Sequence, residues 1–207
     1  MMSVFIGRFH PVFVHLPIGI LLFAALLFFA AKKQKFAAVS AAVAPALAVG
    51  SFFSILSCIT GYLLSISDAY NESIVFKHQW LGIATAITSI VCYIAHQKKF
   101  KYMGVLILVL TALIIITGHN GGNLTHGEDY LTAPLLNTKS DKIVIANINE
   151  AVVYKDVIEP ILAAKCYSCH GDSKQKGKLR LDLPNYIMQG GEEGKVLTPF
   201  QPGSSEL

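Results

Sequence analysis

Charge is what this sequence has least of. Asp, Glu, Lys and Arg make up only 14% of its 207 residues against 53% hydrophobic, and the mean hydropathy of +0.53 lies well above a soluble norm. No phosphate-binding loop, catalytic triad or paired-carboxylate constellation occurs in it. Cysteine is sparse, four in all. Cys58 and Cys92 fall within apolar runs, where a lone cysteine reads as a small packing residue. The net charge of +4 comes mostly from two short loops and one patch, so it implies no nucleic-acid partner.

What the chain has instead is long apolar stretches. Four runs, at about residues 11–31, 36–65, 79–95 and 102–118, are each long enough to cross a hydrocarbon core of about 30 Å. A soluble bundle would need polar faces toward water, and these segments show almost none. They predict a four-span membrane domain in contact with lipid. The second run is longer than one span requires, and Pro45, Gly50 and Gly61 predict a kink or a frayed end in it. Arg8 alone supplies charge ahead of the first run, and no small-residue cleavage site follows. That run is therefore expected to stay as an anchor rather than leave as a signal peptide. Trp80 sits where an interfacial anchor is expected.

Basic residues gather in two of the connections, Lys32-Lys33-Gln34-Lys35 and His96-Gln97-Lys98-Lys99-Phe100-Lys101. The connection between the second and third runs carries Asp68 and Glu72, with Lys77 at its end. The positive-inside bias then puts both basic loops in the cytoplasm and both termini outside.

Near the C-terminus lies Cys166-Tyr167-Ser168-Cys169-His170. A C-x-x-C-H sets two thiols at the spacing that can form thioethers to the vinyl groups of one porphyrin. The adjacent imidazole then lies against the ring as an iron ligand. A C-x-x-C can also be a redox dithiol, but that role does not require the histidine. It can hold half of a zinc site, but zinc needs a second ligand pair and no cysteine follows Cys169. The expectation is covalent haem c on Cys166 and Cys169, with His170 axial to the iron. Such haem is attached on the outer face of a bacterial inner membrane, the side on which the loop charges put the C-terminus. The chain is thus expected to be multi-pass there, with both termini and the haem segment periplasmic.

Between spans and motif, residues 127–147 read as a polar linker containing Pro134 and the run Asn137-Thr138-Lys139-Ser140-Asp141. A helix is expected to start near Asn147 as N-cap, with Glu150 three residues on. Val152, Val153, Val157 and Ile158 form its apolar stripe. Pro160 either interrupts this helix or begins a second one, and Ile161, Leu162, Ala163 and Ala164 lead into Cys166. The domains expected are therefore 1–126, membrane; 127–147, linker; and 148–207, haem-binding. Lys174-Gln175-Lys176-Gly177-Lys178 reads as a solvated loop or as a surface that steers an acidic redox partner.

Several strings in residues 153–207 carry a family resemblance. They are Val153-Tyr154-Lys155-Asp156-Val157-Ile158-Glu159-Pro160-Ile161-Leu162, then Lys165-Cys166-Tyr167-Ser168-Cys169-His170-Gly171, then Gly177-Lys178-Leu179-Arg180-Leu181-Asp182. Gly190-Gly191-Glu192 and Pro202-Gly203-Ser204-Ser205-Glu206-Leu207 complete the set. This part resembles the planctomycete-type cytochrome c domain. The membrane part opens on Phe9-His10-Pro11-Val12-Phe13-Val14-His15-Leu16-Pro17 and closes on Gly121-Gly122-Asn123-Leu124-Thr125-His126-Gly127. It is similar to a family of four-helix membrane proteins with no settled activity. In the cytochrome family a Met-Pro-Pro segment typically follows the Ser-x-Leu motif and supplies the second axial ligand. Here the sequence reaches Leu207 without one. The resemblance therefore implies either a portion of a longer protein or a truncated product. For the chain as written it implies a five-coordinate or weakly ligated haem. Met188, which the resemblance places in a loop beside Gly190-Gly191, is the remaining candidate for the second ligand.

The other histidines crowd toward one side of the membrane domain. His10, His15, His78, His119 and His126 map to its outer end and only His96 to the cytoplasmic end. Ionisable residues in or near spans are functional candidates, and two imidazoles on facing helices can clamp a haem b in a bundle. Gly118, Gly121, Gly122 and Gly127 would let backbone approach such a flat cofactor closely. His15 and His119 are the first choice as ligands, with His78 and His126 as alternates. Equally, these histidines can simply bond lipid headgroups or cap helix ends. A wire across the whole membrane would need ligand pairs at both depths, so at most one haem b is expected.

The fold expected is all-α: a four-helix transmembrane bundle followed by a small, incomplete c-type cytochrome domain outside the membrane. The function expected is an electron carrier with membrane lipid and a redox protein as partners, rather than an enzyme in its own right. Two rivals remain: a quinol-oxidising module with b and c haems, and a transport or sensor domain switched by the cytochrome.

Overall fold

The computed structural model describes residues 2–66, 70, 72–126 and 151–207; among them the chain is helical and has no strands. It divides into two units, Met1–Ser67 with Phe76–Asn120, and Asp68–Val75 with Gly121–Leu207.

In the first unit a short helix α1 (Met2–Gly7) leads into α2 (His10–Ala30). Pro11 lies in the first turn of α2, where a missing N–H leaves no bond unmade. A 3-10 segment (Gln34–Ala42) and then α3 (Val43–Ser65), α4 (Glu72–Gln97) and α5 (Met103–His126) follow. Four stretches, Met2–Ala30, Gln34–Ser65, Glu72–Gln97 and Met103–His126, are long and apolar enough to cross a membrane.

These elements differ from the expected runs in three places, the first being that α4 begins at Glu72, well ahead of Gln79. The second run is not one bent helix, because 3-10 geometry gives way to α geometry just before Pro45, which occupies the first turn of α3. The fourth continues past Gly118 for two more turns, ending at His126.

Gly50 and Gly61 are contact points rather than kinks. A Cβ on Gly50 would collide with the side chain of Leu21, and one on Gly61 would stand 2.9 Å from Cε1 of His10. Both glycines lie on the face of α3 that meets α2.

The packing differs from that of a soluble bundle on both its faces, inner and outer. Ser51, Ser54, Ser57, Thr60, Thr85 and Ser89 are buried, whereas Phe23, Leu26, Phe52, Ile59, Ile87 and Ile115 are exposed. Small residues let helix backbones approach closely, and large apolar side chains face outward, as lipid contact favours. Ser51 and Ser57 have no hydroxyl partner among the described residues, but the other four buried hydroxyls turn back on their own helices: Ser54 donates to Gly50 O at 2.9 Å, Thr60 to Leu56 O at 3.0 Å, Thr85 to Leu81 O at 2.8 Å and Ser89 to Ala86 O at 2.7 Å. That satisfies these four without water. Around Leu21, Leu47, Cys92, Ile107 and Leu110, all four long helices share one apolar cluster. The arrangement is consistent with a membrane domain.

Beyond α5, the next described helical chain starts at Val153, with Val152 extended (φ −82°, ψ 103°). Asp156 Oδ2 accepts the Val152 N–H at 2.7 Å and so closes the helix start. Asn147, Glu150 and the expected linker lie outside the described residues. A π-helical turn (Val153–Ile158) precedes α6 (Glu159–Lys165), and Pro160 begins that second helix. After it come α7 (Tyr167–His170), a tight turn (Lys176–Lys178) and α8 (Pro184–Gln189). Leu162, Leu181 and Ile187 form the core, flanked by Tyr154, Cys166, Tyr167, Leu179, Val196 and Leu197.

Candidate functional site: the C-x-x-C-H turn and the membrane histidines

Cys166 ends α6, and its carbonyl accepts the N–H of both Cys169 (3.0 Å) and His170 (2.8 Å). These bonds wind residues 166–170 into one turn. Thiols three residues apart then share a side of it. Both thiols are free; Cys166 is half-buried and Cys169 exposed.

His170 is oriented from behind. Its Nδ1 lies 3.3 Å from the Leu179 carbonyl, so Nδ1 carries the proton and Nε2 keeps its lone pair. The backbone holds the same loop: Leu181 N–H donates to His170 O at 2.7 Å, and Gly171 N–H to Lys174 O at 2.9 Å. Gly171 must be glycine, because a Cβ there would stand 2.5 Å from the Tyr167 carbonyl.

Tyr154 and Tyr167 line the adjacent core, and their buried hydroxyls have no partner among the described residues. Burial, then the charges of Glu159 and Asp182, push the Tyr154 hydroxyl above its ordinary value; burial does the same to Tyr167. Arg180 binds Asp182 bidentately (2.6 and 2.8 Å), reaches Asp172 at 3.0 Å and stacks 4.3 Å from the Tyr186 ring. The bond to Asp182 raises its pKa further, so it stays charged.

Farther along, Ser205 Oγ accepts the Thr198 N–H at 2.9 Å, and Val196 O takes the N–H groups of Glu206 and Leu207. The Pro-Gly-Ser-Ser string thus ties the C-terminal residues back onto the fold.

The basic patch is engaged within its own unit. Lys174 lies 5.2 Å over the Tyr70 ring, and Lys178 pairs with Glu192 at 3.7 Å on the surface. Met188 sits on a helix, α8, rather than in a loop. It is 41% exposed, while its neighbour Ile187 enters the core.

The residues present fit a covalent porphyrin. Two free thiols share one turn, an imidazole has its far nitrogen already fixed, and two buried hydroxyls await a polar partner. A family model described as planctomycete cytochrome C matches residues 166–207, a segment that begins at the first of these thiols. No curated protein and no solved structure matches the chain. The C-terminal segment is cytochrome c-like, which implies haem and electron transfer. The four apolar helices are compatible with a multi-pass membrane protein.

In the membrane unit the structure brings together a pair other than His15 and His119. His10 and His78 face each other with ring centroids 6.3 Å apart and planes at 81°. His10 Nδ1 lies 3.0 Å from Ser57 O, and His78 Nδ1 lies 3.2 Å from Thr117 O. His15 is exposed, its Nδ1 bonded to the Pro11 carbonyl one turn back. Five residues separate it from His10, about 140° around the helix, so the two cannot share a face. His119 is half-buried, and the exposed His126 bonds the Thr125 hydroxyl at 2.7 Å. No ring contact joins His119 to His15 among the described residues. Sequence reasoning also passed over Arg180 and the two tyrosines. The Arg-x-Asp spacing was the available signal, since residues two apart in extended chain point the same way.

Proposed function

We propose that this chain is a membrane-anchored c-type cytochrome that carries electrons on the periplasmic face of a bacterial inner membrane. Cys166 and Cys169 would hold the porphyrin through thioether bonds, and His170 would ligate its iron through Nε2. Haem, when bound, supplies a one-electron Fe(III)/Fe(II) couple. The chain's own contribution is positioning. Leu179 fixes the imidazole, the Leu162–Leu181–Ile187 core supports the turn, and the four helices keep the site at a membrane surface. The observation that carries this reading is the His170–Leu179 bond beside two free thiols on one turn. The loop charges support a periplasmic site, and a redox protein there is the partner the proposal requires.

The test is a reduced pyridine-haemochrome spectrum of the full chain expressed with c-haem maturation machinery. A c-type spectrum, with haem that survives denaturing electrophoresis and is lost in the C166A/C169A variant, supports the proposal. No covalent haem in the parent chain overturns it. A reporter fused after Leu207 that is active only in the cytoplasm would overturn the orientation.

The His10–His78 contact favours a second reading, in which a membrane quinol is the donor. Its two electrons would divide between two one-electron haems in the chain as its two protons leave to the outer aqueous phase.

A further inference from the structure

We propose that His10 and His78 are the axial ligands of a non-covalent, b-type haem seated at the end of the bundle where α2 begins. Geometry comes first. An imidazole nitrogen binds a metal at about 2 Å and the ring centre lies about 1 Å farther, so two rings on opposite sides of one iron have centroids about 6 Å apart. The observed separation is 6.3 Å.

Tautomer is the second argument. Each Nδ1 is already committed to a backbone carbonyl on a neighbouring helix, His10 to Ser57 of α3 and His78 to Thr117 of α5. That leaves Nε2 of both rings as the lone-pair donor, the second-shell arrangement that metal-binding histidines use.

Third, the donor set selects the cofactor. Among the described residues no three His, Cys, Asp or Glu side chains converge. A bare zinc or copper ion would thus lack its third and fourth protein ligands. A porphyrin brings four nitrogens of its own and needs only an axial pair. Finally, the surroundings are shaped for His10. Gly61 leaves the space its ring occupies, and Ser57, 7% exposed, has a hydroxyl without a partner among the described residues. None of this depends on the C-x-x-C-H turn.

The experiment titrates haemin into the full chain carrying C166A/C169A, purified in detergent, and reads the absorbance and the reduced pyridine-haemochrome. Stoichiometric binding with a low-spin b-type spectrum is expected. His10→Gln and His78→Gln keep an amide donor at each position but remove the imidazole. Each should weaken haemin binding by about 100-fold or more, with helicity by circular dichroism unchanged. His15→Ala and His119→Ala should bind as the parent does. The proposal is overturned by no low-spin spectrum in the parent, by a loss confined to one of the two histidines, or by zinc binding in place of haem. Because the covalent site is absent from every protein in the series, failure here leaves the c-type reading standing. Failure of that reading likewise leaves this one.

Discussion

The Nδ1 of His170 meets the carbonyl of Leu179 at 3.3 Å, nine residues along a chain that has turned back on itself. Leu179 is held in turn by Gly191, where a Cβ would stand 2.8 Å from Gly177 O and 3.0 Å from Leu179 Cβ. A methyl group at 191 therefore pushes on the residue that orients the ligand.

Gly191→Ala should destabilise the haem-loaded C-terminal unit by about 1–3 kcal/mol, the usual result of overpacking. It should also move the reduction potential, because the imidazole loses its fixed partner. Chemical denaturation and a redox titration check both. An unchanged potential would show that Leu179 does not tune the ligand.

Arg180 is four-fifths buried, with side-chain exposure of 20% against 17% for Asp182. Arg180→Ala leaves that carboxylate without its partner and should cost about 2–4 kcal/mol. Arg180→Lys keeps the charge but loses the fork and the stacking on Tyr186, and should recover only part of the loss. Thermal melts of the two variants against the parent decide this.

Alkaline pH should loosen the same unit. Tyr154 and Tyr167 have hydroxyls raised above the ordinary value near 10, so folding favours their neutral forms. The stability this gives is fully present below pH 10 and is lost as pH rises through the raised values. A spectrophotometric tyrosine titration should show two groups ionising late, with loss of structure. In the haem-free chain, Tyr154→Phe and Tyr167→Phe should match the parent at neutral pH or exceed it by up to about 1 kcal/mol, since each removes an unpartnered buried hydroxyl.

Ile187 and Met188 are neighbours with opposite fates. Ile187→Ala empties a core of three buried residues and should cost about 2–4 kcal/mol. Met188→Ala, on the exposed side of α8, should change stability by less than about 0.5 kcal/mol and leave the haem spectrum as it was. A spectral change in the Met188 variant would instead support that side chain as the second axial ligand.

The four apolar helices were legible because lipid-length runs are a property of composition, and the C-x-x-C-H turn because its spacing is local. Pro160 likewise declared a helix start through its own missing N–H. What the sequence hid depended on neighbours. Whether His10 or His15 faces another helix is a matter of helix rotation, and which helix it faces is a matter of bundle order; neither is written in a linear spacing. Gly50 and Gly61 read as breaks, but their use became visible only once Leu21 and His10 stood opposite them. The 3-10 segment ahead of Pro45 was hidden for a similar reason. An alanine-rich stretch satisfies either helical geometry, and tertiary context chooses between them.

The packing of the membrane unit assigns different residues to two tasks, helix contact and outer coat. Its helices meet through serines, threonines, glycines and one shared apolar cluster on the inside, while Phe23, Leu26, Phe52, Ile59, Ile87 and Ile115 stand on the outside. A version that dissolves in water would therefore be sought by repainting the coat, starting with Phe23, Leu26, Phe52, Ile59, Ile87 and Ile115 as charged residues. The interior and its paired imidazoles would be left untouched.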